Sequence, residues 1–303
     1  MLIAVVVTYR APREMLETCL NALREAGRVD RIIVVDNGGT ASIDDQVGAV
    51  ELVQPGTNLG FGGGANLGFR RAIALGADLV ALLNDDVRVD ADWLTPILGA
   101  FADDDTGDGR LGVVQPMLLN EGSDPPTINS AGVILDRMGQ GGDIASGRAL
   151  ADIEQFDRQP IELFTGGCIV LRRQFLEATG GFDESLFLYY EDVDLARRGA
   201  TKGWRYELAH RSQVWHRGSA STSAQPGLTR YLQERNRLWN LARHESAAAY
   251  ARGVWLSIRR VRHRPRAIHA RALLAGLTRT PRALISRMGA RKSRNHSSRT
   301  HTE

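Results

Sequence analysis

Cysteine is nearly absent: Cys19 and Cys168 are the only two in 303 residues, far apart and without metal-ligand spacing. That excludes a disulfide framework and a zinc knuckle, and points to a reducing compartment. The chain also lacks an apolar run long enough to cross a bilayer, and Met1 leads into Leu2-Ile3-Ala4-Val5-Val6-Val7 with no basic residues before it. This opening reads as a buried strand and not as a signal peptide. Acidic residues are missing from one region: residues 251–303 carry fourteen Arg/Lys against Glu303 alone, leaving 24 basic and 34 acidic residues in 1–250. A net-acidic body repels a polyanion and argues against a nucleic-acid-binding protein, while the basic tail suits an anionic surface.

Apolar residues make up 43% of the chain, enough for a large α/β domain with appendages. Strands are expected at 2–9, 31–36, 50–54, 79–83 and 111–115, alternating with helices, a pattern that predicts a parallel sheet covered on both faces. Pro12 opens the first helix, whose Leu16, Cys19, Leu20 and Leu23 recur at helical spacing. A glycine-rich turn running into a helix is expected over 62–76, and Asp90 is placed to cap a helix over 91–101. Residues 128–171 look mixed, ending in a strand over 161–171 that contains Gly166-Gly167. A helix beginning near Glu191 is followed by strands near 204–208 and 213–215, and helix predominates beyond Leu228. The boundaries expected are a catalytic domain over 1–225 (nucleotide side 1–115, acceptor side 116–225), a helical extension over 226–289 and a disordered basic tail over 290–303.

Several polar clusters fall at strand ends or helix starts, where open α/β sheets bind ligands. Asp36, closing Ile32-Ile33-Val34-Val35, can accept a hydrogen bond from a nucleobase or ribose, but before Asn37-Gly38 it is also good turn chemistry. The stretch from Asn58 through Gly60, Gly62, Gly63 and Gly64 to Asn66 permits close approach to a ligand; a flexible linker is the alternative. Asn84-Asp85-Asp86 ends an apolar strand, and oxygen ligands there suit Mg²⁺ or Mn²⁺ carrying a diphosphate, or else form a solvated acidic loop. Glu191-Asp192 follows Leu186-Phe187-Leu188-Tyr189-Tyr190, an apolar setting that can raise a carboxylate toward a useful base; helix capping is the alternative. His216 can ligate a metal or contact a phosphate, or be structural.

Taken in order, Thr8-Tyr9, Asp36-Asn37-Gly38, Asn58 through Asn66, Asn84-Asp85-Asp86, Thr165-Gly166-Gly167, Gly180 through Glu184, Glu191 through Leu195 and His216 resemble the inverting glycosyltransferases of family 2, over roughly residues 1–240. The loop from Asn58 to Asn66, the stretch Phe187 to Leu195, and Tyr231 with Arg235-Asn236 look most like the rhamnosyltransferase branch, which galactofuranosyl and other deoxysugar transferases also resemble. The family's usual Asp-x-Asp begins here with Asn84.

The resemblance implies a GT-A fold, a mixed sheet flanked by helices, with a C-terminal helical extension. It implies direct displacement with inversion, Asp192 as base, and Asp86 with His216 holding a divalent cation, Mg²⁺ or Mn²⁺. Thr8, Tyr9, Arg10, Asp36, Asn58, Gly60, Asn66, Asn84 and Asp85 would bind the donor nucleotide, with Gly166, Gly167 and Glu191 on the acceptor side. The implied partners are a nucleotide-diphosphate sugar such as dTDP-rhamnose, a glycan or polyprenyl-diphosphate-linked acceptor in cell-wall or surface polysaccharide synthesis, and no nucleic acid. The basic tail would hold the enzyme at the cytoplasmic side of the inner membrane as a peripheral protein, and its helices offer a surface for oligomers. The competing readings are a dinucleotide oxidoreductase, which needs a glycine fingerprint after the first strand, and a non-catalytic nucleotide-sugar or nucleic-acid binding protein.

Overall fold

The computed structural model describes residues 1–41, 50–153, 158–218 and 225–278. The tail over 290–303, and Leu284 and the arginines at 279, 282 and 287, lie outside the described residues. In chain order the elements are β1 (Leu2–Thr8), α1 (Arg13–Ala26), β2 (Arg31–Asp36), β3 (Val50–Val53), α2 (Gly60–Ala74), β4 (Leu79–Asn84), β5 (Val87–Val89) and α3 (Leu94–Asp105). Then come β6 (Leu111–Asn120), β7 (Ile128–Ser130), β8 (Val133–Leu135), β9 (Gly141–Asp143), β10 (Arg158–Ile161), β11 (Cys168–Arg172), α4 (Arg173–Thr179) and α5 (Glu191–Ala200). After β12 (Arg205–His216) the chain is helical: α6 (Pro226–His244), α7 (Ala247–Arg260) and α8 (Arg266–Thr278).

The sheet runs β10-β12-β6-β11-β4-β1-β2-β3. The half built from β3, β2, β1 and β4 is parallel, as the strand–helix alternation predicts. The other half is not: β11 lies antiparallel to both β4 and β6, so the sheet is mixed. A strand buried on both faces is an apolar run whichever way it points, so the sequence pattern carries no direction. The expected strand over 161–171 is two strands, β10 and β11, separated by the segment holding Thr165, Gly166 and Gly167. The two strands expected at 204–208 and 213–215 are one, β12, irregular between Ala209 and Gln213. α3 begins at Leu94 and not at 91, and the Asp90 carboxylate accepts from Trp215 Nε1 (2.9 Å) in place of capping the helix.

The largest correction concerns the glycines after Asn58. They are not a turn leading into a helix but the first turns of α2 itself, with Gly60, Gly62, Gly63, Gly64 and Gly68 all buried. A Cβ on Gly68 would stand 2.2 Å from Val5 Cγ1 and 3.3 Å from Val35 Cγ2, and one on Gly64 would stand 2.6 Å from Asn37 Nδ2. The glycines therefore let α2 lie against β1 and β2 more closely than any side chain allows, despite their cost to helix stability.

The chain divides into two compact units, residues 1–134 with 142–224, and residues 135–141 with the described part of 225–303. In the second unit the Arg237 guanidinium is buried and donates to Glu234 Oε1 (2.8 Å), Ser257 Oγ (2.7 Å), Gly253 O (3.2 Å) and Met138 O (2.6 Å). Burial pushes the Glu234 carboxyl up, but Arg237, Ser257 and Arg260 outweigh it, and the net shift is downward. A buried ion pair with this many partners orients α6 against α7 and is costly to break from one side.

Gly68→Ala is expected to lower stability by about 1–3 kcal/mol through overpacking against Val5. Gly99→Ala, mid-helix in α3 with nothing within 4 Å of the new Cβ, is expected to raise it by about 1 kcal/mol. Chemical denaturation of the two variants beside the parent checks both signs.

Candidate active site

The parallel register fixes the rim of the site. Thr8 pairs with Asp36 and Val7 with Asn84, so β1, β2 and β4 finish side by side and their polar ends gather at one edge. Burial, with the charge of Asp86 adding to it, pushes the Asp85 carboxyl up to about 6 against the lowering effect of nearby Thr8 and Tyr9. Next to it, His216 at the end of β12 pairs with Val87, which brings its ring beside Asp86 although 130 positions separate them in sequence. His216 Nε2 stands 3.2 Å from Asp86 Oδ1. The approach has no hydrogen-bond geometry, and both atoms are buried without a hydrogen-bond partner among the described residues.

Burial without partners is costly for a ring nitrogen and a carboxylate oxygen alike, and a divalent cation satisfies both. The two donors, one imidazole and one carboxylate, fit Mn²⁺ or Mg²⁺. Among the described residues no group of three or more His, Cys, Asp or Glu is placed to hold a metal, so a cation here would complete its shell from outside these side chains.

On the other side of the site Asp192, half-buried in the first turn of α5, accepts from Gly166 N (3.1 Å) through Oδ2 and from Val193 N (2.7 Å) through Oδ1. Burial pushes its carboxyl up to about 6 against the lowering effect of those two N–H groups, and the charge of Asp143 adds to the rise. Glu191 is driven up further, by burial first and then by the charge of Asp192. Two adjacent carboxylates with raised proton affinity are the environment of a general base. Glu191 itself is only 5% exposed and packs where Gly62 of α2 meets Phe182. Its side chain lies inside the protein. A Cβ on Gly166 would meet Phe61 Cε1 at 3.1 Å and Asp192 Cβ at 3.8 Å, so that glycine makes room for this protein's own side chains.

Some residues expected at the nucleotide make contacts within the protein. Asp36 Oδ1 accepts from Gly38 N (2.9 Å) and Gly39 N (3.0 Å), and its Oδ2 from Ala41 N (2.8 Å) and Gln54 Nε2 (3.2 Å), so the carboxylate is consumed by its own turn. Asn58 Oδ1 accepts from Gly60 N (2.9 Å), shaping the turn into α2. Gly60 has φ +75°, and a Cβ there would lie 2.3 Å from the Phe187 carbonyl oxygen. Asn66 is buried, donating to Phe182 O (2.9 Å) and Glu184 Oε1 (3.0 Å) and accepting from Phe182 N (2.8 Å). Arg10 is exposed with φ 54°, its guanidinium 5.3 Å over the Tyr9 ring. Asn84 contributes through its backbone, its N–H donating to Gly167 O (3.0 Å).

Sequence reasoning missed Gln115, Asn129 and Asp143. Gln115 is fully buried in β6 and its Oε1 accepts from Thr165 N (3.0 Å), fixing the turn before Gly166. Asn129 Oδ1 meets His216 Nδ1 at 2.9 Å. Asp143, on β9, acts electrostatically on Asp192 and feels His216 in turn, which links the two sides of the site. A polar residue inside an apolar strand was the available signal for Gln115; the other two had none.

The mixed α/β sheet thus carries the pair Asp86 and His216 at its strand ends, and the raised carboxylate of Asp192 lies in the first turn of α5. Residues 3–180 match the family described as glycosyl transferase family 2, and the chain belongs to that family. It is 27% identical over 240 residues to an N-acetylglucosaminyl-diphospho-decaprenol L-rhamnosyltransferase of Mycobacterium tuberculosis, covering 73% of this chain and 78% of that one. It is 31% identical over 220 residues to galactofuranosyltransferase GlfT1 of Mycolicibacterium smegmatis, covering 66% and 65%. The GT-A fold is shared with GalNAc-T7, solved with UDP, GalNAc and Mn²⁺, at TM-score 0.59 and 12% identity, over 80% of this chain and 47% of that one. The present chain thus spans about half of that structure.

Asn66→Ala is expected to cost about 1–3 kcal/mol of stability, because it strands the buried N–H and C=O of Phe182. Nucleotide affinity of the folded fraction is expected to stay within about twofold of the parent. Denaturation together with titration calorimetry separates the two, and a loss of affinity at unchanged stability would return Asn66 to the ligand.

Proposed function

We propose that this chain is an inverting, metal-dependent glycosyltransferase that moves a sugar, L-rhamnose as the first choice, from a nucleotide diphosphate to a lipid-linked glycan acceptor in cell-wall or surface polysaccharide synthesis. The observation that carries this reading is the facing pair Asp86 Oδ1 and His216 Nε2, two atoms without a hydrogen-bond partner among the described residues, in one site with the raised carboxylate of Asp192. The choice of sugar and of acceptor rests on the rhamnosyltransferase relative, with galactofuranose as the second choice from the other.

In the proposed reaction the acceptor hydroxyl attacks the anomeric carbon opposite the diphosphate. A new C–O bond forms as the bond to the diphosphate oxygen breaks, and the electron pair leaves with the diphosphate. Asp192 takes the hydroxyl proton. Its two backbone contacts hold both oxygens in place while leaving lone pairs free for the acceptor. Asp86 and His216 would hold a Mg²⁺ or Mn²⁺ ion, which when bound supplies Lewis-acid neutralisation of the departing diphosphate. Thr8 and Tyr9 keep the neighbouring Asp85 oriented.

The test is a screen of nucleotide-diphosphate release from a set of activated sugars with Mn²⁺ or Mg²⁺ and a lipid-linked acceptor. Turnover of none of them overturns the reading. With the working donor, Asp192→Asn is expected to abolish transfer while nucleotide affinity stays nearly intact, since an amide takes no proton. A carboxyl raised to about 6 is an active base only above that pH. The parent rate is therefore expected to fall about tenfold from pH 7 to pH 5 as Asp192 protonates.

The second unit supports a peripheral place on an anionic membrane face, at the cytoplasmic side. Trp255 and Ile258 on α7 and Leu274 and Leu277 on α8 are 51%, 50%, 65% and 40% exposed, among exposed arginines at 252, 259, 262, 264, 266 and 271. The Arg259 guanidinium lies 4.7 Å over the Trp255 ring. No helix of the described residues is long and apolar enough to cross a membrane. Apolar side chains set among arginines suit a headgroup layer, where each basic residue contributes about 1 kcal/mol. The full chain is expected to float with anionic liposomes at low salt and to be released by high salt, and Trp255→Ser/Ile258→Ser is expected to weaken flotation. Failure of the full chain to float with anionic vesicles at low salt would remove the membrane role.

A further inference from the structure

The pair Asp86 and His216 poses a question about protons. If Nε2 of His216 carries one, the ring donates to Asp86 and the two form an ordinary pair; if Nε2 carries a lone pair, two acceptors face each other at 3.2 Å and the position is made for a cation. In the neutral ring the answer depends on the other nitrogen, and a chain of amides reaching back to the backbone supplies it.

The chain begins at the Ile128 carbonyl, which can only accept. Asn120, 3.1 Å away, must turn its NH₂ toward it, and the same NH₂ reaches Thr127 Oγ1 at 3.0 Å. The Asn120 Oδ1 then faces Asn129, which must present its own NH₂ (2.9 Å). The Asn129 Oδ1 is left facing His216 Nδ1 at 2.9 Å, and an amide oxygen accepts. The proton of the neutral ring therefore sits on Nδ1, and Nε2 offers its lone pair toward Asp86. The order of donors and acceptors does not depend on how any one amide was oriented, because the carbonyl at its end has no alternative.

The backbone is shaped for this contact. In the pairing of β6 with β7, Leu118 opposes Ser130 and the adjacent Leu119 opposes Ile128, so Asn129 is the extra residue at an irregularity in the ladder. Such bulges re-aim a side chain that a regular strand would point elsewhere.

We propose that Asn129, oriented by Asn120, is a positioning residue that holds the neutral His216 ring with its Nε2 lone pair toward Asp86, so that the two facing acceptors make a cation site. This rests on the metal-dependent reading of the same site. Asn129 touches neither substrate nor metal; it acts through the ring. Partners on the far nitrogen of a ligating histidine typically change metal affinity about 10–100-fold.

Two measurements test it. Long-range ¹H–¹⁵N NMR of the ¹⁵N-histidine-labelled full chain at pH 8.5 without metal, with His216 assigned by its loss in His216→Gln, is expected to show the Nδ1–H tautomer. In Asn129→Leu that preference is expected to be lost. Free-Mn²⁺ EPR, with Mn²⁺ alone and with dTDP or UDP, is expected to show affinity falling about 10–100-fold in Asn129→Leu. Matching thermal melts would show that the variants fold.

A parent ring protonated on Nε2, or an Asn129→Leu variant that binds Mn²⁺ as tightly as the parent, overturns the proposal. A parent that binds no Mn²⁺ in any of these conditions overturns instead the metal-dependent reading beneath it.

Discussion

The close approach of α2 to the first strands is the constraint from which the rest of the site follows. Gly64 and Gly68 bring the helix onto Val5, Val7 and Val35 at distances that exclude a Cβ. The opposite side of the helix then meets the segment leading to the candidate base. Asn66 clasps Phe182, Phe61 N donates to Phe187 O (2.8 Å), Gly60 leaves room for the Phe187 carbonyl, and Gly62 leaves room for Phe182 near Glu191. The glycine-rich helix thus works as a thin spacer between the sheet and the 182–191 segment. A Cβ on Gly62 would stand 3.1 Å from Phe182 Cβ and 3.8 Å from Glu191 Cβ, so that face too leaves little room.

Charge at the strand ends follows a second logic. Asp85, Asp86, Glu191 and Asp192 are gathered where burial raises the proton affinity of Asp85, Glu191 and Asp192, and few cationic partners are placed among them to offset it. The second unit shows the opposite arrangement: buried Glu234 is surrounded by Arg237, Arg260 and Ser257 and held charged. An ion network that satisfies itself serves structure. Carboxylates left short of partners retain the capacity to bind a cation or take a proton.

The strand ends of the parallel half were legible because each is an apolar run terminated by a polar residue, and Thr8, Asp36 and Asn84 lie at one rim as that pattern requires. The family was legible from the order of these clusters along the chain. The division of labour among them was not. Asp36 and Asn66 have residue types that bind nucleotides and that also close turns and clasp backbone, and only their neighbours decide between the two; here both are occupied internally. The same holds for the glycines of α2, where composition reads as a turn and packing makes a helix.

Local chemistry written along the chain therefore determined the apolar strands, the alternation with helices, the residues available for acid–base and metal chemistry, and the separation of an acidic body from a basic tail. What only the tertiary structure decided is which of those residues meet. The antiparallel insertion of β11, the pairing of β12 with β5 that carries His216 to Asp86, and the irregularity that aims Asn129 at the His216 ring are long-range registers. Register is set by pairing between distant segments, and a fully buried strand shows the same apolar sequence for either direction and for neighbouring alignments.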